Sequence, residues 1–112
     1  GNALILSLSA TMADMLTLAQ GSGVDAQAAI DVAELFDLNA LVATRGGNMV
    51  KGNFAPSFEL AMARKDFGLM LATAGDRPLA VLPGVAARMD QLIAAGHGAD
   101  DVSIWAQHAL AR

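Results

Sequence analysis

Apolar residues recur at helical spacing through almost every segment of this chain, and no segment alternates in the period-two pattern of a strand. Leu82, Val85, Ala86, Met89, Leu92 and Ile93 follow the amphipathic helix spacing closely. Leu60, Ala63, Phe67, Met70, Leu71 and Ala74 make a second stripe of the same kind. There is no run of β-branched residues and no Asn-Gly hairpin signal. The pattern predicts an all-α fold, a compact bundle of about six helices.

Glycine, proline and capping residues set the expected boundaries. The first helix is predicted from Asn2 to Gln20, with Leu4, Leu8, Met12, Met15, Leu16 and Ala19 as its stripe. Ile5, Leu6 and Leu18 lie off that stripe, so the first half is apolar on most sides and is expected to be buried. Gly21 and Gly23 end it, and Asp25 caps a second helix over Ala26 to Phe36 that buries Ala29, Ile30, Ala33 and Phe36. A shorter third helix covers Leu38 to Arg45 and is broken by Gly46-Gly47. Met49 to Ala55 reads as a connector. Ser57 caps the fourth helix, with Glu59 in its first turn, and Gly75-Asp76-Arg77-Pro78 ends it. The fifth begins near Pro83. Gly96-His97-Gly98 is a turn, and Asp100 or Asp101 caps a last helix through Ala111.

At 112 residues the chain is expected to form one domain with a real core. Hydrophobic residues make up 54% and charged residues only 16%, which suggests apolar surface kept for a partner. A formal net charge of −4 with no basic run argues against a nucleic-acid partner. The absence of cysteine excludes disulfides and thiol chemistry, and a cytoplasmic protein is expected. Ala3 to Ala13 is membrane-like, but Ser7, Ser9, Thr11 and Asp14 are expected to interrupt it short of the ~20 residues a span needs. With no basic region ahead of it, a signal peptide is not expected either. The chain opens directly into a helical pattern with no cap ahead of Gly1, and reads as cut from something longer.

Several motifs lose to plainer readings. Gly21-Ser22-Gly23-Val24-Asp25-Ala26 matches the dinucleotide pattern G-x-G-x-x-A, but that loop needs a strand before it and here a helix precedes it. A helix end followed by a helix start accounts for it. His97 and His108 are the only histidines and are not at metal-ligand spacing, so no metal site is expected. Asp100-Asp101 reads as capping rather than catalytic. No serine lies in a G-x-S-x-G elbow. The six methionines read as core filler.

The charge cluster Arg64-Lys65-Asp66 stands out, because nothing else between Leu60 and Gly75 is charged. On a helix Lys65 neighbours Ala61, Met62, Gly68 and Leu69, none of them acidic. Asp66 faces Met62, Ala63, Leu69 and Met70. Both therefore look for a partner off their own helix. Phe58, Met62 and Lys65 follow i, i+4, i+7, which puts Phe58 and Lys65 on one face, ~10 Å apart along the axis at ~1.5 Å rise per residue. One aromatic and one cation on a face suit a cleft for an anionic substrate or cofactor. A lysine stem lying over Phe58 or Met62 is the bland alternative.

An ordered set of landmarks resembles the C-terminal helical domain of the β-hydroxyacid dehydrogenases, the family of 3-hydroxyisobutyrate dehydrogenase, tartronate semialdehyde reductase and glyoxylate/succinic semialdehyde reductase. Asn2 stands where that family places the Asn of a K-x-x-x-N motif on a long interdomain helix. Ala13-Asp14-Met15-Leu16-Thr17-Leu18-Ala19 and Gly23-Val24-Asp25 follow. The family's F-x-P-x-F segment is Phe54-Ala55-Pro56-Ser57-Phe58 and its K-D-(L/F) is Lys65-Asp66-Phe67. Gly96-His97-Gly98, Asp101 and Ser103 close a match that covers essentially all of residues 1–112. Two departures are visible: the stretch after Ala74 is shorter than the family's usual turn, and Asp14 stands where Glu is more common.

The resemblance implies the fold of the 6-phosphogluconate dehydrogenase C-terminal domain, serving here as a substrate and dimerisation domain whose N-terminal Rossmann partner is absent from this chain. It implies hydride transfer between NAD or NADP and a small 3-hydroxy acid such as 3-hydroxyisobutyrate, with a lysine four residues before Asn2 as general acid/base. Asn2 would orient the substrate, Phe58 would wall the site, Lys65 would reach the cofactor, and Asp66 would tie its helix into neighbouring structure. The fragment alone is then expected to be inactive, and the whole protein a homodimer or homotetramer with no membrane partner. The competing expectation is a non-enzymatic helical interaction module that has kept the scaffold and lost the chemistry.

Overall fold

Helix follows helix along residues 1–110, the part of the chain that the computed structural model describes. The helices are α1 (Asn2–Ser22), α2 (Ala26–Ala33), α3 (Leu38–Leu41), α4 (Gly47–Lys51), α5 (Leu60–Ala74), α6 (Leu82–Leu92) and α7 (Gln107–Leu110). A π-helical turn, Val42–Gly46, runs α3 into α4 without a break; the second, Ile93–His97, follows α6 but is kinked at Gly96, φ 96°, where the sequence predicts a turn. A 3₁₀ turn, Val102–Ala106, leads into α7. Counted as continuous stretches these are six, and among the described residues there is no strand, only an isolated bridge between Glu59 and Asp101. The chain is all-α, as its periodicity predicts.

The ends of the helices depart from expectation for identifiable reasons. α1 runs two residues past Gln20 and stops at Gly23, whose φ of 70° gives the left-handed cap that returns its N–H to Ala19 and Gln20. α2 stops at Ala33, so Phe36 lies beyond it and is exposed. Gly46-Gly47 does not break the third stretch. Both residues keep right-handed helical angles, and the helix ends at Gly52, φ 67°, absorbing half of the expected connector. Ser57 does not cap α5, because its hydroxyl donates to Asp101 instead of accepting from the helix. Asp101 does cap the last stretch, accepting from Ser103 N–H. The expected end of that stretch at Ala111 lies outside the described residues.

The chain divides into two compact units, each assembled from two stretches distant in sequence: Gly1–Phe36 with Phe67–Ala86, and Asp37–Asp66 with Ala87–Arg112. In the first, α1 packs on α2, and Ala19, Ala74, Leu82 and Ala86 are buried. Gly21, in the last turn of α1, lies so close to the carbonyl of Thr73 on α5 that any side chain there would strike that oxygen. Asp14 is only 2% exposed, and its carboxylate accepts the backbone N–H groups of Ala80, Val81 and Leu82 at 2.7, 2.8 and 3.0 Å. Those are the free donors ahead of and at the first turn of α6, so Asp14 caps a helix remote in sequence.

In the second unit Leu60, Ala63, Met89, Leu92, Val102 and Ile104 are buried, and α4 packs on the 3₁₀ turn. The expected stripes of the fourth and fifth helices are therefore real at Leu60, Ala63, Ala74, Leu82, Ala86, Met89 and Leu92.

The first half of α1 corrects an expectation. Leu4, Ile5 and Leu6 are 65%, 63% and 66% exposed, not buried. Apolarity on most sides is here an exposed surface, which no described segment covers. By length and composition alone α1 is also long and apolar enough to cross a membrane, with a mean hydropathy of 1.4 in its most apolar window. Ser7 and Thr11 do not interrupt it, because Thr11 Oγ1 turns back to donate to the Ser7 carbonyl at 2.9 Å, a bond made within the helix.

Candidate functional site

Residues 54–58, ahead of α5, make no helical bonds of their own, so their shape depends on what holds them. Asp101 supplies the hold. One carboxylate oxygen accepts Ser57 N–H at 3.0 Å, Ser57 Oγ–H at 3.1 Å and Phe58 N–H at 3.0 Å. The other accepts Ser103 N–H at 3.0 Å and Ser103 Oγ–H at 2.6 Å. The backbone adds Asp101 N–H to the Phe54 carbonyl and Val102 N–H to the Phe58 carbonyl, each at 3.0 Å. Leu60 N–H donates to Asp100 O and Ala61 N–H to Gly98 O, so residues 98–101 also satisfy the opening of α5. A side chain at Gly98 would reach ordinary van der Waals contact with Ala61 there.

Burial alone would raise the carboxyl of Asp101. The Ser103 hydroxyl and the amides of Phe58, Ser103 and Ser57 outweigh it and hold the group well below the usual carboxylate range. Burial opposes ionisation of Asp14 in the same way, and the amides of Ala80, Leu82 and Val81 hold its carboxyl below the ordinary value.

The shared helix face expected for Phe58 and Lys65 is not formed by helical spacing, because α5 starts only at Leu60 and Phe58 lies ahead of it, 37% exposed; on the helix itself Met62 and Lys65 are exposed. The three adjacent charges divide. Arg64 binds Asp90 of α6 through Nε at 2.7 Å and through its second nitrogen at 3.3 Å. Lys65 and Asp66 are exposed and make no ion pair or side-chain hydrogen bond among the described residues. Of these three charges only Arg64 ties α5 to another element among the described residues, and Asp66 does not.

Asn2 is exposed at the first turn of α1, in the first unit, whereas Phe58, Lys65 and Asp66 belong to the second. His97 Nδ1 lies 2.8 Å from Asp100, a local bond in the turn that Gly96, φ 96°, allows. No cluster of three His, Asp or Glu side chains suited to a metal ion occurs among the described residues.

Sequence reasoning gave Asp14 and Asp101 only as a landmark and a cap. The signal that could have found Asp14 is an acid on an otherwise apolar helix with no basic residue three or four positions away. Asp101 carries a faint one in D-x-S, a carboxylate two residues from a hydroxyl.

Comparison with known proteins agrees with the landmarks. No curated protein sequence matches the chain. A family match, however, runs over residues 1–109, nearly the full length. The chain belongs to the family described as the NAD-binding domain of NADP-dependent 3-hydroxyisobutyrate dehydrogenase, and so to a family of NAD(P)-using oxidoreductases.

Proposed function

We propose that this chain is the C-terminal, 6-phosphogluconate dehydrogenase-like domain of an NAD(P)-dependent oxidoreductase acting on a small 3-hydroxy acid such as 3-hydroxyisobutyrate. The observation that supports this best, beyond family membership, is Lys65. Lys65 is exposed on α5 and makes no ion pair among the described residues, while the adjacent Arg64 is occupied by Asp90. An uncommitted cation on an exposed, largely apolar helix suits an anionic group, and a dinucleotide carries such groups in its phosphates.

When bound, the nicotinamide supplies the hydride chemistry. The chain's own residues bind and orient: Lys65 meets negative charge on the cofactor, Phe58 walls the substrate and excludes water, and the Asn2 amide donates to substrate oxygen. Asp66 carries the charge that would hold the Lys65 helix to the nucleotide-binding half. The proton at the reacting oxygen belongs to a lysine four residues before Asn2, on a Rossmann half joined to α1. The fragment by itself is inactive in this reading, and the intact protein is a cytoplasmic homodimer or homotetramer.

One observation favours a second reading, a helical interaction module without chemistry: the uncovered apolar first half of α1. Two measurements on the intact protein separate them. The residue four positions before Asn2 is lysine in the first reading. Nicotinamide absorbance followed over a panel of short hydroxy acids, with NAD and with NADP, gives turnover. A different residue at that position, with no turnover on any acid, leaves the module.

A further inference from the structure

We propose that Asp101 is a positioning residue for the substrate pocket, acting through Phe58. This rests on the reading of Phe58 as the pocket wall. Phe58 lies in a segment without helical bonds of its own, yet both of its backbone polar groups are taken by consecutive residues. Its N–H goes to the Asp101 carboxylate, and its carbonyl accepts from Val102 N–H. Ser57, one residue earlier, adds its amide and its hydroxyl to the same carboxylate oxygen. Freed of these bonds the segment would sample many backbone conformations, and a wall residue has to be held within a fraction of an ångström to shape a small substrate.

All five groups on the carboxylate are donors, and an ionised carboxylate offers only acceptors, so the match needs the charge. Asparagine has the same shape and would turn an NH₂ toward donors on one side. The second oxygen anchors the carboxylate on Ser103, which is buried, so the clamp is fixed from behind while the Phe58 ring stays partly open to solvent.

The test uses the intact protein, with two clamp variants in case one fails to fold: Asp101→Asn and the milder Ser57→Ala. Amide hydrogen exchange at Phe58 is expected to quicken by about tenfold or more in Asp101→Asn and less in Ser57→Ala. KM for the hydroxy acid is expected to rise several-fold, with kcat and dinucleotide affinity unmoved. Against a Phe58→Ala background neither clamp variant should raise KM further, because the residue they act through is gone. Unchanged exchange at Phe58 overturns the positioning role whatever the kinetics do. Clamp effects on KM that add to those of Phe58→Ala overturn it too, since Asp101 would then act independently of Phe58. A KM unaffected by Phe58→Ala, with exchange still quickened in the clamp variants, instead removes Phe58 from the pocket and with it the catalytic meaning of the clamp.

Discussion

Asp14 on α1 accepts the backbone N–H of Ala80, 66 residues further along the chain, at 2.7 Å. With Val81 and Leu82 on its other oxygen, this buried carboxylate occupies the place of a capping side chain that α6 does not find in its own sequence. Removing it strands three amide donors, one of them buried. Charge-assisted bonds of this kind carry about 1.5–3 kcal/mol each, with strong overlap when they share one acceptor. Asp14→Ala is expected to lower the unfolding free energy by about 3 kcal/mol, and Asp14→Asn by less, because one carbonyl oxygen remains. Urea titration checks this as a fall in midpoint at unchanged m value.

The same two clamps set an acid limit. Asp14 and Asp101 are held in the ionised form in the fold, below the ordinary carboxylate value of 3.8. Their contribution is complete above that value and is lost as pH falls below it, because the unfolded chain then binds protons that the folded chain refuses. Thermal unfolding measured from pH 7 to pH 2 is expected to be flat with respect to these groups down to about pH 4.5 and to fall steeply below, by up to about 1.4 kcal/mol per pH unit for each group. Asp14→Asn should show a shallower acid limb than the parent.

What could be read in the sequence, and what could not, follows from the range of the interactions. The helices were legible because periodicity is local, and so were caps such as Asp25, which accepts Ala28 N–H three residues on. Lys65 stood out because its neighbours at helical spacing are apolar. Asp14 and Asp101 were not legible as clamps, since their partners lie 43 to 68 positions away. Gly46-Gly47 was misread for a related reason. Glycine lowers helix propensity by only about 1 kcal/mol, and a continuous helix on both sides recovers that. The exposed first half of α1 was misread because periodicity reports that a face is apolar, not what covers it.

Gly21 separates packing from propensity. An exposed glycine in a helix gains up to about 1 kcal/mol on replacement by alanine. Here the new methyl group would strike the carbonyl oxygen of Thr73, a backbone atom that cannot rotate aside. Gly21→Ala is therefore expected to destabilise by about 1–3 kcal/mol despite its better helix propensity. A rise in thermal midpoint would show that α1 can shift away from α5 at this point without cost.

Lys65 offers the opposite separation. It is exposed and unpaired among the described residues, so Lys65→Ala should leave stability within about 0.5 kcal/mol. If its ammonium meets the cofactor, the intact protein should lose dinucleotide affinity by about tenfold, the equivalent of about 1.4 kcal/mol, and the loss should shrink at high salt. Asp66→Asn reports separately on whether its charge acts outside this chain, through a change in kcat with cofactor affinity retained. Kinetics of Lys65→Ala that match the parent at low salt would take Lys65 out of the site.

The first half of α1 makes the last prediction. Leu4, Ile5 and Leu6 point in successive directions around the helix, so a single neighbouring element could not cover all three. Full cover needs contact on more than one side, which a nucleotide-binding half and a second subunit together would give. If the intact protein assembles as proposed, Leu4→Asp and Leu6→Asp are each expected to weaken that assembly, read by sedimentation as a shift toward monomer. The local unit should persist in both, because the clamp at Asp14 and the glycine contact at Gly21 lie beyond the substituted turn. Variants that assemble like the parent at micromolar concentration would take the first half of α1 out of any subunit interface and leave the exposed Val32, Leu35 and Phe36 as the next apolar surface to substitute.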